Sequence, residues 1–205
     1  MKTQTHTKTL WMVQTAILAA ILILMAFTPL GYLKIGTISI TFLTVPVVIG
    51  AILLGPSCGA VLGGVFGITS FIQCFGMDVF GTTLMGINPL FTFLMCMVPR
   101  ILMGLFVGLI FRALVKFNKT MTWSLALASL SGAVINTGLF IGALLLFFGN
   151  SDYLQGFGDN LLAILGVLIT VNALVEAVGC MIVGTAVTKA LSLIMLRKPQ
   201  ITPES

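Results

Sequence analysis

A chain of 205 residues that is 59% hydrophobic and only 7% charged, with a mean hydropathy of +1.18, cannot cover a soluble domain, whose surface needs about a quarter of all residues charged. Its net charge of +5 comes without a basic stripe of interleaved aromatics, which excludes nucleic acid as a partner. These residues suit a lipid bilayer as solvent.

The runs Thr9 to Leu33, Ile35 to Met77, Val79 to Pro99 and Thr120 to Ser151 hold no Asp, Glu, Lys or Arg. A spanning helix needs about 20 such residues, so the second run holds two spans and each of the others one. The segment from Asn160 to Thr188, broken only by Glu176, supplies a sixth. The expectation is an all-α integral membrane protein with six transmembrane helices in one domain, 1–205, the helices lying near 10–29, 40–54, 57–75, 88–114, 122–149 and 160–194.

The first helix follows a basic start, MKTQTHTK, but its apolar stretch continues to about Leu30 with no small-residue cleavage site. It reads as a retained helix rather than a signal peptide. Its Ala16-x-x-x-Ala20 pair places two small residues one turn apart.

The connection to the second helix, TPLGYLKIGTISIT, alternates β-branched residues and reads as an extended loop able to fold over the bundle. A very short link, LGPSCG, opens the third helix and a ridge of glycines at 55, 59, 63 and 67. Spacing by four puts them on one face, where a neighbouring backbone can approach closely. No Lys-Ser/Thr follows, so this is not a phosphate-binding loop. The next outer connection, FGMDVFGTTLMGINP, reads as a glycine-rich movable turn and a second lid.

Basic residues sort by loop: Lys2 and Lys8 precede the first helix, Arg112, Lys116 and Lys119 follow the fourth, and Lys189, Arg197 and Lys198 close the sixth. Asp78, Asp152 and Asp159 occupy the opposite loops, with Lys34 the exception. Both termini are therefore expected in the cytoplasm.

The chemical inventory is thin. His6, the one histidine, lies in the N-terminal tail, which leaves no Ser-His or Cys-His pair and no multi-histidine metal site. Neither a catalytic residue nor a metal or cofactor is expected. Cys58, Cys74, Cys96 and Cys180 fall singly in apolar runs and read as packed free thiols.

What remains is a sparse polar set: Gln73, Asn88, Arg100, Asn136, Thr137, Asn172 and Glu176. At 1.5 Å per residue, Arg100 lies about 18 Å along its helix from Asn88, and Glu176 about 24 Å from Asn160. An arginine at such depth costs about 2.5 to 3.5 kcal/mol and faces a partner in the bundle interior. Two partners are open: Glu176, the only acid inside a span, or a ligand carboxylate, which the planar guanidinium fork suits. Asn136 and Asn172, with Gln73 and Asn88, are candidates for ligand contact or for hydrogen bonds between helices. Phe71, Phe75, Phe80 and Phe91 could line an apolar pocket.

The Ala16-x-x-x-Ala20 pair, the run ISITFLTVPVVIGAILLGPSCGAVLGGVFGITSF, and the segments VPRILMGLFVGLIFRAL, GAVINTGLFIGALLL and VNALVEAVGCMIV resemble the substrate-binding S-components of energy-coupling factor (ECF) vitamin transporters. The resemblance covers nearly the whole chain. It implies capture of a water-soluble vitamin at the outer side, beneath the two lids. It further implies docking through Ala16 and Ala20 onto a transmembrane coupling subunit driven by two cytoplasmic ATPases.

Among the family's substrates the deep arginine favours an anion. Pantothenate fits best, its carboxylate on Arg100 and its hydroxyls and amide near Asn88, Asn136, Asn172 and Gln73. Folate and biotin also carry carboxylates; these, riboflavin, and a solitary small-molecule transporter are the alternatives.

Overall fold

The computed structural model describes residues 2–28, 31–35, 38–117, 121–149, 151, 177–187 and 190. At its centre lies a helix that is almost wholly buried. Helix α2, Thr44–Leu53, has every residue from Thr44 to Ile52 buried, as expected of a segment that is apolar all round. Pro46 sits in its first turn, where a missing backbone N–H costs nothing. Around it pack α1 (Lys2–Ala26), α3 (Pro56–Gln73), α5 (Pro89–Phe117), α6 (Met121–Phe148) and α7 (Ala177–Val187). Cys180–Gly184 of α7 are wound as a π-helix. Leu22, Leu43, Val47, Val48, Leu62, Phe66, Met103, Val107 and Leu125 form the main core around α2.

Four helices among the described residues are long and apolar enough to cross a membrane: Lys8–Ala26, Pro56–Gln73, Pro89–Lys116 and Trp123–Phe148. The described residues are nearly all helical. Of the remaining two expected spans, α2 has 10 residues and rises about 15 Å, half the hydrocarbon thickness. The other, 160–194, lies mostly outside the described residues.

Residues 40 and 41, expected to open the second helix, belong instead to a strand. Tyr32–Ile35 (β1) pairs antiparallel with Ile38–Thr41 (β2), Tyr32 opposite Thr41 and Ile35 opposite Ile38. The alternation Ile-Ser-Ile-Thr satisfies the two-residue period of a strand.

The expected movable turn after α3 is also corrected. Residues Val79–Ile87 form a short helix, α4. Asp78 caps it, its carboxylate accepting from the Gly81 backbone N–H at 2.8 Å, which is the contact that starts a helix. Thr82 and Thr83 return their hydroxyls to the carbonyls of Asp78 and Val79. Leu84 packs with Met95, Leu144 and Phe148, fastening α4 to α5 and α6.

The glycine ridge does what its spacing implied. A methyl group on Gly59 would strike the Gly104 carbonyl, one on Gly63 the Arg100 carbonyl, and one on Gly67 would lie 3.0 Å from the Cys96 carbonyl oxygen. Helices α3 and α5 therefore meet backbone to backbone. Gly55, ahead of α3, holds φ at +98°, a conformation open to glycine at little cost.

Candidate functional site

Arg100 owes its geometry to the residue before it. Pro99 lies inside α5, and proline has no N–H to give the carbonyl four residues back. That carbonyl is Met95, and Arg100 donates Nη1 to it at 2.8 Å. The guanidinium thus replaces a lost helical hydrogen bond and is turned back along α5. Its carbon lies 4.9 Å from the ring centre of Phe140 and 5.6 Å from that of Phe66, distances at which an aromatic face attracts a cation.

Beside it opens a cavity of about 700 Å³, in the size range of small-molecule sites. Its walls are the ends of α1 and α3, the segment Met77–Gly81, the first half of α5, and Asn136 with Phe140 of α6. Polar atoms enter from several sides: Arg100, Asn136, Gln73, Thr28, Ser70 and Asp78. The buried Asn136 Oδ1 and the Thr28 Oγ1 have no hydrogen-bond partner among the described residues. A buried acceptor without a donor is costly, which marks Asn136 Oδ1 as a polar atom with spare accepting capacity in the cavity wall. Gln73 is anchored, its Nε2 donating to the Ala26 carbonyl at 2.7 Å, which ties the end of α3 to the end of α1.

Two sulfurs share this wall. Cys74 donates to the Ser70 carbonyl at 3.3 Å, and its Sγ lies 3.9 Å from that of Cys96. Cys74 follows the last residue of α3 and of its span.

The opposite end of α3 lies near basic residues. Arg112, exposed on α5, reaches the Gly55 turn at the start of α3, and Trp11 donates to the Leu54 carbonyl at 3.2 Å. The cavity and this basic rim lie at opposite ends of α3.

A family model described as "ECF transporter, substrate-specific component" matches residues 11–188. The chain belongs to this family. It is accordingly a multi-pass membrane protein and a transporter component. The pantothenate transporter PanT of Leuconostoc mesenteroides is 34% identical over 148 residues, 69% of each chain. The pantothenic acid transporter PanT of Lactococcus lactis subsp. cremoris is 30% identical over 164 residues, 74% of this chain and 77% of that one.

Of the residues singled out in the sequence of this S-component, Arg100, Asn136 and Gln73 share the cavity wall. Asn88 stands elsewhere: its Oδ1 accepts from the backbone N–H groups of Leu90 and Phe91 at 3.1 and 3.3 Å, capping α5. Thr137, half-buried on α6, is not among the lining residues. Asn172 and Glu176 lie outside the described residues. Ala16 and Ala20 are exposed on α1.

Of the aromatics, Phe80 lines the cavity. Phe71 packs edge-on against Phe75 and Phe93, and Phe91 stacks on Phe147 at 5.2 Å. Phe66, Ser70, Cys96 and Phe140 were missed as lining residues, although each is readable by helical period. Cys96 and Phe140 lie four residues from Arg100 and Asn136, and Phe66 and Ser70 lie seven and three before Gln73. Residues three, four or seven apart share a helix face.

Proposed function

We propose that this chain is the substrate-binding subunit of an ATP-driven ECF importer and that its cavity captures pantothenate from the outer side of the membrane. One observation carries the reading: a guanidinium beside two aromatic rings in the wall of a small-molecule cavity, with an amide oxygen on α6 that has no partner among the described residues. Arg100 takes the carboxylate, for which a fixed planar fork is preorganised. Asn136 accepts from a hydroxyl or the amide N–H, and the carboxylate of Asp78 suits a second hydroxyl at the rim. Asn172 and Glu176, which lie outside the described residues, are proposed as further ligand contacts, with Glu176 as a partner for the guanidinium. The names of the two relatives support the same substrate.

The outer-side assignment rests on charge. Lys8, Arg112 and Lys116 lie at the end away from the cavity, and cytoplasmic loops carry the basic excess. Both termini then face the cytoplasm, and the fold carries six spans. The sequence holds no phosphate-binding loop, so ATP is hydrolysed by separate ATPase subunits. The lipid-exposed Ala16 and Ala20 form the docking stripe for the transmembrane coupling subunit.

Calorimetric titration of the detergent-purified protein tests the substrate. Pantothenate binds, and its alcohol, in which CH2OH replaces the carboxylate, binds about 100-fold more weakly, the equivalent of about 2.7 kcal/mol. Equal affinity for acid and alcohol, or preference for folate, biotin or riboflavin, overturns the assignment.

A further inference from the structure

The Cys74–Cys96 pair is unlike the other two cysteines. Cys58 meets the hydroxyl of Thr15 at 3.3 Å and Cys180 that of Thr44 at 2.8 Å, each between packed helices. Cys74 and Cys96 face each other across 3.9 Å and both line the cavity. A disulfide requires about 2.0 Å between sulfurs, so the pair must close by roughly 2 Å. The position of Cys74 permits that. It caps the end of α3, and the chain then runs through Gly76, at φ +107°, around which no atom lies within 4 Å of an added Cβ. Between the two cysteines runs Met77–Gly81, which is one wall of the cavity, and the rest of α4. The Cys74 sulfur also lies against Gly81 of α4, where an added Cβ would be 2.5 Å from it.

We propose that Cys74 and Cys96 are a redox-responsive thiol pair in the wall of the binding cavity, which a peroxide-class oxidant converts to a disulfide that staples the α4 wall and slows ligand exchange. One sulfur attacks the O–O bond of the peroxide, becoming a sulfenic acid as water leaves. The second sulfur displaces the hydroxyl, the S–S bond forms, and a second water carries away the remaining oxygen and proton. Two thiols lose two electrons, and the peroxide gains them. The cavity gives the oxidant its route to these two sulfurs, whereas Cys58 and Cys180 are enclosed. The effect on ligand exchange rests on the pantothenate reading, while the cross-link itself does not.

The test treats the detergent-purified full chain with hydrogen peroxide. Mass spectrometry of proteolytic fragments is expected to find a Cys74–Cys96 linked peptide in the wild type and in C58S/C180S, and none in C74S or C96S. Pantothenate dissociation, followed by surface plasmon resonance, is expected to slow about tenfold on oxidation of the wild type and to change less than about twofold in C74S and C96S, whatever their starting rates. Sulfinic or sulfonic acids without the linked peptide in C58S/C180S overturn the pair, even if C74S or C96S fails to fold. A linked peptide with unchanged dissociation overturns the gating. Failure of the reduced wild type to bind pantothenate sinks the substrate reading and leaves the cross-link result standing.

Discussion

Replacing Arg100 by alanine removes two things at once, and a second substitution separates them. The first is the ligand's counter-charge: truncating one member of a buried charge pair costs about 2 to 5 kcal/mol, which is about 30- to 4,000-fold in affinity. The second is structural. Without Arg100 the Met95 carbonyl loses its 2.8 Å donor, and Pro99 has no N–H to offer in exchange. An unsatisfied buried carbonyl costs about 1 to 3 kcal/mol, and loss of the contacts with Phe66 and Phe140 adds about 1 kcal/mol. Arg100→Ala is therefore expected to lower both affinity and apparent melting temperature.

In the double variant Pro99→Ala/Arg100→Ala, the alanine at 99 returns a helical N–H to Met95. The melting temperature should recover most of the carbonyl's share, about 1 to 3 kcal/mol, while binding stays lost. Calorimetry for affinity and a thermal-shift assay for stability, run on the wild type, both single variants and the double, make the cycle. Retained affinity in Arg100→Ala, or restored binding in the double variant, would refute the role of the guanidinium in carboxylate capture.

Three further outcomes are expected. Gly63→Ala places a methyl group against the Arg100 carbonyl; forcing α3 and α5 apart should cost about 1 to 3 kcal/mol of stability and weaken pantothenate binding, and an unchanged melting temperature would contradict the backbone contact. Asp78→Ala removes the cap of α4 at about 0.5 to 2 kcal/mol, so hydrogen exchange across 79–87 should accelerate, while Asp78→Asn, which keeps an acceptor oxygen, should protect these amides nearly as well as wild type. Ala16→Trp and Ala20→Trp, on the exposed face of α1, should spare pantothenate binding by the purified protein and abolish vitamin uptake in cells carrying the coupling module; loss of both together would remove the docking assignment.

How much of this could be read from the sequence differs from residue to residue. Arg100 announced itself, because a charge among 20 apolar residues must be compensated. Its local partner was also legible: Pro99 frees the carbonyl at 95, and the next residue is the arginine that takes it. That inference needs only the four-residue helical period, whereas a pairing with Glu176 falls outside the described residues. The glycine ridge was legible because a four-residue spacing has one geometric meaning.

Helix α4 was hidden by Gly76, Gly81 and Gly86, which lower helix propensity; the tertiary contacts of Leu84 with Met95, Leu144 and Phe148 outweigh it. The boundary between β2 and α2 was hidden for another reason. ITFLTV is apolar and β-branched in either period, and only the Tyr32–Thr41 pairing decides where the strand stops. The cysteine pair joins the end of α3 to α5 across 22 positions, a proximity that no local pattern encodes.

The backbone seam between α3 and α5 has a consequence for how the cavity can adapt. Side chains repack by hopping between rotamers, but Gly59, Gly63 and Gly67 have none, and their neighbours across the seam include the carbonyl oxygens of Gly104, Arg100 and Cys96. That joint has no intermediate settings. The Arg100 carbonyl is part of it, so the guanidinium is mounted on the least deformable line in the molecule. Any accommodation of a longer or bulkier guest falls to the facing wall at Met77–Gly81, which behaves as the adjustable jaw of a vice whose fixed jaw carries the charge.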